Sequence, residues 1–412
     1  MENKSLLDKS RKSTAFVLPT VMITKIFGIL YVLLLTRGLS VEQYGTYNFF
    51  IGLIAVFAFL CNFGLQSTLQ RFIPKYSVDS QWSRLLKLII FAHSFRFILS
   101  VLFLIVAYVF YQNWAVSFGV ESYKDKYVIF ALGSFLLFQI MYFSTEFNSL
   151  MLHGTTSIIE LIMSALKIII VYYLLMSSSD VYWIFIGELS AYSVAFIFAL
   201  YSFVLYVYKP IKAYPDQGEN VVEFKRLLRF SSFNAVVAPG AIMFSHSMDV
   251  FIISAMATQY ELGLYALASR ASAMIISIMP HNLLQGVIRP VFYHRYSESG
   301  DSKDELSLMF QSLFILAACV IFPALMIVGV VSEPLIMHVF GDKYIEAVTV
   351  FMVLIVFNVF SVIEMPSDLV LRAIEKVDTI LYAQIFAVYN VAVAILLMPG
   401  FGLIGVAFAT GS

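Results

Sequence analysis

The chain has 412 residues, 60% of them apolar and only 13% charged, with a mean hydropathy of +0.87; soluble domains carry roughly 45 to 50% apolar residues, so this composition belongs in lipid. Lys plus Arg and Asp plus Glu balance at 26 each, a net charge of +0, which offers no basic excess for a nucleic-acid partner. The two cysteines, Cys61 and Cys319, stand apart in apolar runs and form neither a CxxC redox pair nor a thiolate metal cage.

A helix needs about 20 apolar residues to cross the hydrocarbon, and only helices and closed barrels satisfy their backbone there. The basic N-terminus (Lys4, Lys9, Arg11, Lys12) leads into an apolar run longer than a signal-peptide core of roughly 7 to 15 residues, so it reads as the first spanning helix. Spans are predicted at 14–36, 46–70, 86–111, 127–151, 156–177, 181–208, 231–256, 263–288, 307–331, 346–371 and 379–398. A twelfth opens near Leu403 and reads as clipped at Ser412. Between the sixth and seventh lies a polar stretch from Lys209 to Arg229, with Pro210, Pro215, Asp216, Gly218 and Asn220 as turn formers. The expected organisation is an N-terminal six-helix lobe at 1–208, a cytoplasmic linker at 209–230 and a C-terminal lobe at 231–412, incomplete at its last helix.

Orientation follows from Lys and Arg, which accumulate in cytoplasmic loops. With the N-terminus inside, that side takes Lys4, Lys9, Arg11 and Lys12, then Arg71, Lys75, Arg84 and Lys87, then Lys209, Lys212, Lys225, Arg226 and Arg229, then Arg289, Arg295 and Lys303, then Arg372 and Lys376. The other side keeps Arg37, Lys124, Lys126 and Lys343.

The two halves also look alike. Tyr44-Gly45-Thr46-Tyr47 follows the first helix, and Leu262-Gly263-Leu264-Tyr265 opens the eighth 218 positions later; the same offset carries Leu65 to Leu283 and Arg71 to Arg289, while Pro19 and Pro239 are 220 apart. A duplication into parallel repeats is the natural reading, and such repeats place a substrate site at their interface.

Ionisable groups inside a span cost roughly 2.5 to 3.5 kcal/mol each on insertion scales and face a bundle interior or a hydrated cavity. In or near the spans stand Lys25, His93, Arg96, Glu146, Glu160, Lys167, Glu188, His246, Asp249, Arg270, His281, Glu364, Asp368 and Arg372. Ser157, Glu160, Ser164 and Lys167 share one helical face, as do Arg270, Ser277, His281 and Gln285, with Pro280 placed to kink the second row. The cations Lys25, Arg96, Lys167 and Arg270 suit an anionic substrate, and Arg71 and Arg289 stand where a phosphate would enter from inside. For those two, ordinary membrane anchoring is the competing reading. The carboxylates Asp249, Glu160, Glu188 and Glu364 are candidates for a coupling proton or sodium ion, against the alternative of salt bridges to Lys25 or Lys167. The chain has no GxxxxGK[ST], HExxH or GxSxG motif, so ATP hydrolysis, zinc peptidase and serine hydrolase chemistry lack their signatures. No catalytic residue, metal site or cofactor is expected.

At Arg37-Gly38-Leu39-Ser40-Val41-Glu42-Gln43-Tyr44-Gly45-Thr46-Tyr47 the sequence resembles the junction of helices one and two in the polysaccharide-exporter branch of the multidrug/oligosaccharidyl-lipid/polysaccharide (MOP) superfamily. Asn62-Phe63-Gly64-Leu65, Arg71-Phe72-Ile73-Pro74-Lys75-Tyr76, Asp249-Val250-Phe251-Ile252-Ile253, Gly263-Leu264-Tyr265, Phe340-Gly341-Asp342-Lys343-Tyr344 and Pro399-Gly400-Phe401-Gly402-Leu403-Ile404-Gly405 resemble it at matching places. The resemblance implies an all-α, MATE/MOP-like fold of two six-helix bundles related by a pseudo-two-fold repeat, about 12 helices in all. It implies a Wzx-type flippase carrying undecaprenyl-diphosphate-linked oligosaccharide for O-antigen, capsule or exopolysaccharide synthesis, not an enzyme, in the bacterial cytoplasmic membrane. A polysaccharide polymerase and a chain-length regulator are its expected partners, with the transporter itself a monomer. Rival readings are a cation-coupled multidrug antiporter, a lipid II flippase and a membrane-embedded glycan-assembly enzyme; the short loops oppose the last.

Overall fold

The computed structural model describes residues 2–213, 224–237, 246–277, 302–374 and 385–412, with 279, 288, 292, 295 and 296 between them. Every described regular element is helical. Among the described residues nine helices are long and apolar enough to cross a membrane, from Pro19–Gly38 to Val388–Gly411. The chain is a multi-pass membrane protein. Its contacts gather into two compact units, Met1–Ser40 with Leu53–Pro239, and Val41–Gly52 with Gly240–Ser412. The second unit therefore includes residues 41–52, which a linear division at 208 and 231 leaves with the first half.

The first unit holds α1 (Glu2–Gly38), the last part of α2 (Val41–Asn62), α3 (Leu65–Val78), α4 (Trp82–Val109), α5 (Lys124–Ser149), α6 (His153–Ser177), α7 (Val181–Phe203) and α8 (Phe224–Val237). Its main packing pairs are α5 with α7, α6 with α7 and α1 with α6. The span predicted at 46–70 is instead two helices. Phe63 and Gly64 turn left-handed, at φ 42° and 69°, and the Asn62 side chain accepts the Gln66 N–H at 2.9 Å, ending one helix and starting the next. Apolar content alone does not register that turn. Beyond it, α3 buries Leu65, Leu69, Phe72, Ile73 and Tyr76 against α4 and α5, at the spacing of one helical face. Arg71 and Lys75 are left exposed. Helix α8 lies against α3, with Phe230 edge-on to Phe72 at 5.7 Å. At the other end of the unit Asp180 caps α7 by accepting the Tyr182 N–H at 2.9 Å, and binds Lys126 Nζ at 2.9 and 3.0 Å. Beyond α7 the helix continues through a π turn into Lys209–Ala213, the first residues of the predicted linker.

The second unit adds α9 (His246–Met256), α10 (Gln259–Ser277), α11 (Lys303–Val330), α12 (Ser332–Phe340), α13 (Ala347–Phe357), α14 (Ser361–Ala373) and α15 (Ile385–Gly411). The predicted spans 231–256 and 263–288 run in part over residues outside those described; α9 and α10 are the described part of the first span's end and the second's start. Helix α15 breaks at Gly402, with φ 57° and ψ −140°, between the predicted eleventh and twelfth helices. Only glycine takes that backbone without strain. The N-terminal part of α2 crosses α10 with backbone in contact: a Cβ on Gly45 would collide with the Gln259 carbonyl, and one on Gly263 with the Val41 carbonyl. These glycines are the pair that the 218-residue offset matches. Tyr44, 2% exposed, seals the crossing edge-on against Tyr344 at 6.1 Å.

Candidate functional site

In the first unit Lys167 of α6 and Glu188 of α7 form an ion pair, Nζ to Oε1 2.6 Å, with side chains 17% and 5% exposed. Tyr31 of α1 donates its hydroxyl to the same Glu188 oxygen at 2.9 Å, and Lys167 donates to the Tyr192 hydroxyl at 3.3 Å. The ammonium lies 4.4 Å from the Tyr31 ring centroid and 5.4 Å from that of Tyr192, within cation–π range. A charge pair taken out of water survives only with this kind of close geometry and added hydrogen bonds. Sequence singles out Lys167 as a substrate-binding cation and Glu188 as an ion-coupling carboxylate; in the structure they hold each other. On the same helix Ser157 is buried, with Glu160 half-buried beside it.

In the second unit Asp249 of α9 is 3% exposed. Tyr265 of α10 donates to its Oδ2 at 2.7 Å and Thr410, in the part of α15 beyond Gly402, at 3.0 Å. Three helices thus converge on one carboxylate oxygen, and charge-assisted bonds of this kind are roughly twice as strong as neutral ones. Among the described residues no Lys or Arg forms an ion pair with Asp249.

The other sequence candidates stand on separate helices. Lys25 is exposed on α1 and Arg71 on α3, where its guanidinium carbon sits 4.7 Å from the Phe230 ring centroid. Arg96 on α4 is 2% exposed. Arg270 on α10 is half-buried, Glu364 on α14 is exposed, and Arg289 lies outside the described residues. Of the hydroxyls that complete the two buried sites, Tyr265 lies in a segment that carries the family resemblance, though not as a site residue, whereas nothing marks Tyr31, Tyr192 and Thr410 among the chain's 24 tyrosines and its other polar residues. Among the described residues no group of three or more His, Cys, Asp or Glu is placed to hold a metal ion.

Ionisable groups held inside bundles of apolar helices are costly and mark candidate functional sites of a membrane protein. The fold is shared with solved membrane proteins. It superposes on the inward-facing conformation of a multidrug resistance MATE family transporter of the MOP superfamily with a TM-score of 0.75 at 14% identity, covering 94% of this chain and 90% of that one. On the lipid II flippase MurJ in an inward closed conformation the TM-score is 0.71 at 16% identity, covering 95% and 83%. On a MATE transporter from Vibrio cholerae it is 0.61 at 11% identity, covering 99% and 93%. No curated protein matches the sequence. The model of the polysaccharide biosynthesis protein family matches residues 34–349, and the chain belongs to that family. The matched stretch contains the Arg37–Tyr47, Asn62–Leu65, Asp249–Ile253 and Phe340–Tyr344 segments on which the sequence resemblance rests.

Proposed function

We propose that the protein is a flippase that moves an undecaprenyl-diphosphate-linked oligosaccharide repeat unit from the inner to the outer leaflet of a bacterial cytoplasmic membrane, with its N-terminus in the cytoplasm. The observation that carries this reading is the family itself, matched over 34–349, joined to a fold shared with a lipid II flippase and with MATE transporters. A sugar diphosphate cannot cross hydrocarbon unaided, since burying charged and polar groups without partners is prohibitive. The protein supplies those partners while the lipid tail remains in the bilayer, and alternating access releases the head group outside. Lys25, Arg71, Arg96, Lys167, Arg270 and Arg289 are the cations assigned to the diphosphate, and Asp249 is the foremost carboxylate for a coupling proton or sodium ion, followed by Glu160, Glu188 and Glu364. A polysaccharide polymerase and a chain-length regulator would take the product. The chemistry remains non-enzymatic.

The test is complementation of a strain lacking the gene, with surface glycan measured alongside membrane insertion. Arg270→Ala and a charge-neutral Lys167/Glu188 double variant are expected to insert normally and lose export. Full export by both would overturn the cationic route.

A further inference from the structure

A second buried charged cluster in the first unit lies apart from the Lys167–Glu188 pair and from Asp249, and includes Arg96, one of the cations assigned above to the diphosphate. Glu146 near the end of α5 is 0% exposed, and its Oε1 lies 2.8 Å from Nε2 of His93 on α4, whose side chain is 21% exposed. Among the described residues neither Glu146 oxygen has an aligned hydrogen-bond donor. One helical turn along α4, Arg96 is 2% exposed, its guanidinium carbon 3.9 Å from the Tyr142 ring centroid and 5.6 Å from that of Phe138, while its Nε and Nη2 have no hydrogen-bond partner among the described residues.

Among the described residues, groups from several helices surround the His93–Glu146 pair. On its own helix stands Arg96. From α5 come Tyr142 and Phe143, with ring centroids 6.0 and 4.7 Å from His93, and from α7 comes Phe203 at 6.0 Å. The end of α2 supplies Cys61 and Asn62, the latter accepting the Tyr142 hydroxyl through its side-chain oxygen at 3.2 Å. From α3 comes the buried face of Leu65, Leu69, Phe72, Ile73 and Tyr76. The cluster therefore contains one fixed cation, one buried carboxylate and one imidazole that reaches the surface. With His93 neutral and Glu146 ionised the charges sum to zero, and each proton bound changes that sum.

We propose that His93, Glu146 and Arg96 form a proton-binding site, in which a proton is held between Nε2 of His93 and Oε1 of Glu146. A charge change at Glu146 is felt at low dielectric by Arg96 and, through Tyr142, by the Asn62 turn that ends α2. Beside Asp249, the site gives the chain a second buried carboxylate at which a coupling proton binds; this last step rests on the flippase reading.

The test separates the two. Infrared difference spectra of the purified full chain in phosphatidylglycerol nanodiscs, taken as pH is lowered, are expected to show a protonated-carboxyl band. That band should vanish in Glu146→Gln, persist in the control Glu333→Gln and exchange its proton more slowly in His93→Phe. A band unaffected by Glu146→Gln, or none at all, overturns the site whatever the protein transports. The second arm measures glycan export as an imposed pH gradient is collapsed: loss of the gradient response in Glu146→Gln supports the coupling role, and an undiminished response overturns it.

Discussion

Lys167 and Glu188 satisfy each other, so removing either one alone confounds stability with transport. Truncating one partner of a buried pair leaves an uncompensated charge and costs about 3 to 5 kcal/mol. Lys167→Met is therefore expected to lower the unfolding temperature in detergent, and adding Glu188→Gln to restore most of it; a double variant no more stable than Lys167→Met would contradict the pairing. If Lys167 also meets the diphosphate, the rescued protein still fails to export. Asp249 calls for a different substitution. Both of its hydroxyl donors reach the same oxygen, which the amide oxygen of Asn replaces, so Asp249→Asn should keep its thermal stability to within about 1 kcal/mol, the scale of a single net hydrogen bond. Its export should collapse, and retention of ion-dependent export would remove Asp249 from the coupling role.

At the scale of the element, the α7 cap concentrates several effects on Asp180. Partial burial pushes the carboxyl's pKa up, but the Tyr182 N–H and the Lys126 ammonium together outweigh it and hold it below the ordinary value of 3.8. A lowered pKa in the folded state means that the carboxylate stabilises the fold above the unfolded value and that this contribution fades as pH falls through the folded one. Asp180→Ala should cost about 0.5 to 2 kcal/mol near neutrality, the range for losing an N-cap, with the difference from the parent shrinking in unfolding curves taken well below pH 3.8. A gap independent of pH would show that the charge plays no part. Most spanning helices are legible because an apolar run of about 20 residues has few other fates. The division at Asn62–Leu65 is not: Phe63 is apolar and turns left-handed, and apolar content carries no record of φ. The break at Gly402 is easier to see, since Pro399, Gly400 and Gly402 cluster there. The sites divide in the same manner. Lys167, Glu188 and Asp249 announce themselves as charges in apolar helices, whereas their hydroxyl partners come from other helices at separations of 16 to 161 residues.

For the whole molecule, the family match over 34–349 takes in residues of both units, and the crossing of α2 with α10 involves residues well separated in sequence. Gly45→Ala or Gly263→Ala would drive a methyl group into a backbone carbonyl. Overpacking of this kind costs typically about 1 to 3 kcal/mol, and each variant should unfold at lower temperature than a control Gly329→Ala, whose added methyl meets nothing within 4 Å. Equal unfolding temperatures would show that the helices separate without penalty.

That crossing also says something about descent. The 218-residue offset matches its two glycines to each other, and contacts in which a surface patch meets itself are the ones that pair identical subunits about a two-fold axis. If the offset records a duplication, a half-length precursor with one such glycine would have carried the complete contact, and fusing two copies would have added a tether and required no new surface at this point.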